Sequence, residues 1–331
     1  MKKLLAASRF QIQAYLVSAV LVLSSFPALA SLYLDGNGTT LGAGATVTGT
    51  WGGGTPTSFW NSDSTGGAGG SFTATTLSSD DLYFAAGNDM TTGTVTLGGA
   101  VSANTLNFKN GATAISGNFA LTLANGITVD AGLTGLAAIG NAGTNTSVTV
   151  SAPQTWANNV SGSTNRLIIG RATLNGLVTI AGAGTVQLGN DGTSNSLGGS
   201  GDIQIGTSTT AGFVGWSTSS NGIGTDNDVY LVNGSIVRGG ASAGDSSIKG
   251  FNNSGTFFLQ GDFTFAGTSD TNSVIQKLAL DTNSVLNATN TSQASFPLLI
   301  ARVDDGALNP NAIFTKSGAS TVSITTTNST Y

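Results

Sequence analysis

The sequence predicts an all-β protein: a right-handed parallel β-helix (β-solenoid) with an irregular N-terminal cap. Three observations carry that expectation. Short runs of alternating polar and apolar residues return at intervals of roughly 7 to 12 residues, too close for crossover helices. Glycine-bearing turns separate them, and 48 of the 331 residues are Gly. A turn-then-strand unit also recurs, as in Ile180-Ala181-Gly182-Ala183-Gly184-Thr185-Val186-Gln187-Leu188 and again near the C-terminus. Recurrence of one supersecondary unit is the sequence signature of a stacked repeat architecture.

The elements follow in order. Residues 1-30 read as a secretory signal peptide. Lys2, Lys3 and Arg9 form a basic start, Ala14 to Phe26 an apolar run, and Pro27-Ala28-Leu29-Ala30 a small-x-small end that places cleavage between Ala30 and Ser31. The apolar run is shorter than the ~20 residues needed to span a bilayer, so a retained membrane anchor is disfavoured.

Residues 31-81 lack clear periodicity and are read as the cap of the first repeat, with Trp51, Trp60 and Asn61 beside glycine-rich loops. A sugar-stacking site on the two tryptophans is the alternative use of those rings. From 82 to 331 the strand pattern is regular. It begins with Leu82-Tyr83-Phe84, Thr94-Val95-Thr96-Leu97, Thr105-Leu106-Asn107-Phe108 and Ala120-Leu121-Thr122-Leu123. It continues through Leu177-Val178-Thr179-Ile180 to the larger residues of Asp228-Val229-Tyr230-Leu231-Val232 and Thr256-Phe257-Phe258-Leu259-Gln260. No linker is visible. A tandem array of β-sandwiches is the competing architecture, but evenly short, glycine-marked strands fit stacked rungs better.

Composition limits function. Setting aside Lys2, Lys3 and Arg9 leaves eight basic residues against 16 acidic ones, a net charge near −8. Nucleic acid is therefore not an expected partner. The chain has no Cys and no His, and all 16 acidic residues are Asp. Ser-His-Asp and Cys-His sites, zinc sites of the usual ligand types and glutamate-based glycosidase pairs are excluded. No cofactor is expected. Hydrophobic residues make up 39% of the chain and arrive in regular runs, which argues against a disordered tail.

Aspartate is the remaining catalytic candidate. Asp80-Asp81 and Asp304-Asp305 could supply an acid and a base, yet each doublet also reads as turn material. Three stretches offer oxygen ligands of the calcium type: Gly198 to Ile205 with Asp202, Gly189-Asn190-Asp191-Gly192, and Thr225-Asp226-Asn227-Asp228. None repeats in tandem, so solvated turns are expected there.

The C-terminal unit is Phe314-Thr315-Lys316-Ser317-Gly318-Ala319-Ser320-Thr321-Val322-Ser323-Ile324, followed by Asn328-Ser329-Thr330-Tyr331. Val322 and Ile324 share a face of one strand after a small-residue turn. The stretch resembles the autotransporter-associated β-strand repeat of large bacterial surface proteins. Thr315, Lys316, Gly318, Thr321, Val322, Ile324 and Tyr331 carry the likeness; Ser320 stands where that pattern has a second Gly, and Val322 and Ile324 replace Leu. The resemblance implies a passenger-type protein displayed outside the cell, at the outer-membrane surface, structural or adhesive rather than enzymatic. Glycans or other surface proteins are the expected partners. A link to the membrane is expected only through an anchor or barrel beyond Tyr331. An Asp-dependent polysaccharide lyase or hydrolase, and a truncated fragment without independent function, are the alternatives.

Overall fold

The computed structural model describes residues 29–140, 145–189, 197–210, 212–216, 227–232, 235–239, 252–265, 273–288, 298–300, 303–305, 311–318 and 322–324. The chain divides into two units, Met1–Ala30 and Ser31–Tyr331, and all the strands belong to the second. The protein is all-β. Among the described residues there is no helix, and every strand pairing but two is parallel.

Strand pairing sorts the chain into three parallel ladders. The first takes in Ser31–Leu34, Asp81–Phe84, Thr105–Phe108, Gly126–Val129, Gln154–Asn158 and Val178–Ala181. It continues through Ile203–Ile205, Val229–Val232, Phe257–Gln260, Lys277–Leu280 and Val303–Asp305. The second is an 11-stranded sheet running from Thr46–Trp51 through Thr92–Leu97, Ala112–Gly117 and Gly184–Leu188 to Phe314–Ser317. The third links residues 101–103, 121–123, Ser147–Val150, Ala172–Leu174 and Leu197–Gly199. It is found again in 252–253, 274–275, Leu298–Ile300 and Val322–Ile324.

From Thr92–Leu97 to Ile203–Ile205, and again from Ser235–Gly239 to Val322–Ile324, the chain visits the ladders in one order: second, third, first. The first pass goes from Thr46–Trp51 to Asp81–Phe84 with no third-ladder strand among the described residues between them. Between successive passes on the first ladder the register advances 21 residues from Thr105 to Gly126 and 29 from Gly126 to Thr155. Four strands, Val101–Phe108, Ala120–Val129, Asn252–Gln260 and Ser273–Leu280, run through the corner from the third ladder into the first. A register shift marks the bend between Ala103 and Thr105 and again between Asn253 and Thr256. At one such corner Gly126 has φ +123, and a Cβ there would collide with the Thr155 carbonyl of the next pass. Only glycine fits.

Alternation decides which residues face inward. On the first ladder Leu32, Leu82, Leu106, Ile127, Trp156, Ile180, Ile205, Leu231, Leu259 and Leu280 stand in successive register. All are at most 6% exposed. Each such side chain contributes about 1.5–3 kcal/mol by leaving water. Trp156 enters an otherwise aliphatic column because its indole N–H finds Gln154 Oε1 at 3.1 Å, and Gln154 in turn donates to the Leu123 carbonyl. Asn158 is buried but complete: its amide donates to the Thr185 carbonyl at 2.8 Å, and its oxygen accepts from Val160 N.

Parallel pairing reaches back through Ser31–Leu34 and Thr46–Trp51. The irregular part is 52–80, which contributes the two antiparallel pairings. Trp60–Asn61 lies against Ser31–Leu34, and Phe72–Thr73 against Trp60–Asn61. The Trp60 ring meets Trp51 and Phe84 edge-on, at 5.5 and 5.6 Å, and Phe59 at a tilt. Phe84 then stacks on Phe108 at 4.6 Å. Behind this cluster the buried Asp35 accepts from the Asn61 amide at 2.7 Å. A Cβ at Gly49 would stand 2.5 Å from the Phe59 ring, so the absence of a side chain there makes room for the cluster.

Candidate functional site

The outward columns are the candidate functional surface. On the second ladder Thr46, Thr48 and Thr50 pair in register with Thr92, Thr94 and Thr96, then with Ala112, Ala114 and Ser116. Apolar residues alternate inward between them, so the hydroxyls point out. Thr46 and Thr92 Oγ1 lie 3.3 Å apart. The third ladder carries a similar column, Ser102, Thr122, Thr149 and Thr173. Neighbouring passes set these hydroxyls about 4.8 Å apart, and alternate positions along a strand about 6.7 Å.

Aromatic pairs interrupt the first ladder's outer face. Tyr33 stacks on Tyr83 at 4.8 Å, and Tyr230 on Phe258 at 4.9 Å. Both pairs are half-buried. Burial raises the Tyr83 phenol above its usual range, and the neighbouring Asp81 adds to the shift. Tyr230 is likewise raised, first by burial and then by Asp202, Asp228 and Asp281. Asp63 moves the other way: the amide and hydroxyl of Thr65 donate to it at 2.9 and 2.8 Å and hold its carboxyl below the usual carboxylate value.

The residues singled out in the sequence fall as follows. Ala30 immediately precedes the first strand and Ser31 opens it, in register with Asp81. Thr315 and Lys316 pair with Val285 and Leu286, and Gly318 turns the corner with φ +80. Val322 and Ile324 pair with Leu298 and Ile300. Thr321 and Tyr331 lie outside the described residues. Trp51 and Trp60 are 1% and 0% exposed, so neither offers a ring face to a sugar.

Among the described residues, Asp80, Asp81, Asp202 and Asp228 each accept hydrogen bonds within the scaffold. Asp80 is buried and accepts from Leu77 N, while Asp81 accepts from Asn104 Nδ2 and Thr105 Oγ1. The second doublet is not a turn: Val303–Asp305 is a strand because Val303 takes the inward place after Leu278, which holds the next two residues in register. Asp304 sits 3.9 Å from Lys277. In the Gly198 to Ile205 stretch, Asp202 accepts from Asp228 N at 3.0 Å, and Asp228 from Thr256 N at 2.7 Å. Each carboxylate thus ties its own pass to the next. Asn227 donates to the carbonyls of Gly199 and Gly201. Asn190, Asp191, Gly192, Thr225 and Asp226 lie outside the described residues. Among the described residues no group of three or more acidic side chains is placed to hold a metal ion.

Sequence reasoning passed over the threonine grid and the aromatic pairs. The first was visible as two Thr-x-Thr-x-Thr triplets, at 46–50 and 92–96. The second was not, because Tyr33 meets Tyr83 only through a 50-residue register step. Comparison of the chain with protein-family models, with curated proteins and with solved structures finds no match.

Proposed function

We propose that the chain is an exported, surface-displayed passenger whose work is structural and adhesive. Its three ladders wind as a right-handed parallel β-solenoid. The repeated return of the chain, from Thr92 to Ile205 and from Ser235 to Ile324, to three parallel ladders in one order supports the solenoid reading. Parallel crossovers are right-handed in about 98% of cases, which supports the hand. The basic and apolar start of the sequence, with its small-x-small end at Ala30, supports export.

The observation that carries the functional reading is the outward register of Thr46, Thr48 and Thr50 over Thr92, Thr94 and Thr96. Hydroxyls held at a fixed repeat make many weak contacts at once, and avidity then replaces a single deep pocket. The test is attachment of the purified exported chain to glycan-coated and protein-coated surfaces. Thr48→Asp with Thr94→Asp, which places like charges on the grid, is the comparison. The expected outcome is retention of the native protein and roughly tenfold weaker attachment of the variant, with the mature N-terminus at Ser31. Equal attachment of both would remove the grid from the adhesive surface, and no attachment to either coating would overturn the reading.

A further inference from the structure

A groove of about 610 Å³ opens where the 41–42, 64–65 and 87–89 loops meet, with Lys109 on its wall. Its walls are fixed before any ligand arrives. Gly42 N donates to the Thr65 carbonyl at 2.7 Å and Gly87 N to the Ser64 carbonyl at 2.8 Å. Both Asp89 oxygens accept from the opposite loop, from Ala43 N at 2.7 Å and Gly44 N at 3.1 Å. The loops approach so closely that a Cβ at Gly66 would collide with the Gly42 carbonyl. An open groove whose walls are already hydrogen-bonded to one another avoids the ordering cost of a mobile one.

Its chemistry is mixed. Lys109 is the single basic residue between Ser31 and Asn165. Neither its ammonium nor the exposed Asn88 amide has a hydrogen-bond partner among the described residues. Ser64 adds a hydroxyl that both donates and accepts. Thr65 Oγ1 gives its proton to Asp63 and keeps its lone pairs for a ligand. Leu41 is 73% exposed beside these polar groups.

We propose that this groove binds a neutral saccharide unit. An anion would meet Asp89, the ionised Asp63 nearby and a chain of net charge near −8. A cation would meet Lys109. A neutral polyol uses the donors and acceptors of both, with its C–H face against Leu41. The assignment rests on the adhesive reading and names the ligand class of one site within it.

The test is an array of neutral hexose oligosaccharides and uronic-acid oligosaccharides, probed with the exported chain and with Lys109→Met, Asn88→Ala and Leu41→Ala. The side chains changed are exposed or half-buried, and a melting curve of each variant verifies the fold. The expected result is retention on the neutral oligosaccharides, little changed by salt, and weakened about tenfold or more by Lys109→Met and Asn88→Ala. Preference for the uronic acids would overturn the ligand class. Neutral binding left intact by all three folded variants would overturn the groove while leaving adhesion to the outward columns. An array that retains nothing would overturn the groove as well, and attachment to protein-coated surfaces would then decide the wider reading.

Discussion

The N-terminal 52–80 segment and the ladders that follow it bury their apolar residues by different rules. In the ladders each inward residue meets its equivalent one pass away, as Ile205, Leu231 and Leu259 do, so packing repeats with the register. Around Trp60 unlike rings converge: Trp51 and Phe84 come edge-on from the second and first ladders, and Phe59, its neighbour in the chain, lies against it at a tilt. Repetition needs only a suitable size at every position and tolerates local change. The aromatic cluster needs one particular geometry, and its members have no substitutes.

The largest expected effect is therefore Trp60→Ala, about 3–5 kcal/mol for an aromatic core truncation. Loss of protection should spread over Ser31–Leu34, Thr46–Trp51 and Asp81–Phe84 in hydrogen exchange. A smaller loss, about 2 kcal/mol, is expected for Leu231→Ala, because the flanking rungs can close in on the gap. Its exchange signature should stay within Ile203–Ile205, Val229–Val232 and Asn252–Gln260. Equal spread of the two effects would erase the contrast between the regions.

Next comes Asp228→Ala, which leaves Thr256 N without its acceptor at the corner and should cost about 1–2 kcal/mol. Asp228→Asn keeps an acceptor oxygen and should recover most of that in a denaturant titration. The smallest effect concerns alkaline pH. Tyr83 and Tyr230 have raised values in the folded chain, so the stability they contribute is complete below the ordinary tyrosine range and is lost as pH rises through the raised values. Ultraviolet titration should show two phenols ionising later than free tyrosine, and Phe258→Ala should bring Tyr230 back towards the ordinary value.

Most of the all-β character was legible because alternation survives in strands as short as Leu82-Tyr83-Phe84. The third ladder was harder to read. Ala172–Leu174 and Leu197–Gly199 are three residues long and rich in Ala and Gly, too short for a period of two to declare itself. The two matching turn-strand units also proved unequal in place. Ile180 to Leu188 passes from the first ladder to the second, whereas Phe314 to Ile324 passes from the second to the third. The shared sequence specifies a corner but not which corner. The candidate surface was the least legible part, since contacts such as Tyr33 on Tyr83 and the groove beside Lys109 depend on register steps of differing length.

That variable step has a consequence for how such a protein changes size. Because each pass contacts only the passes before and after it, duplicating one segment from Thr105 to Asn125 inserts a complete layer and leaves every existing column intact. Each inserted layer lengthens the ladder by about 4.8 Å. Reach is thereby counted in whole steps, and a lineage of such chains can extend or retract it by gene duplication without redesigning a core.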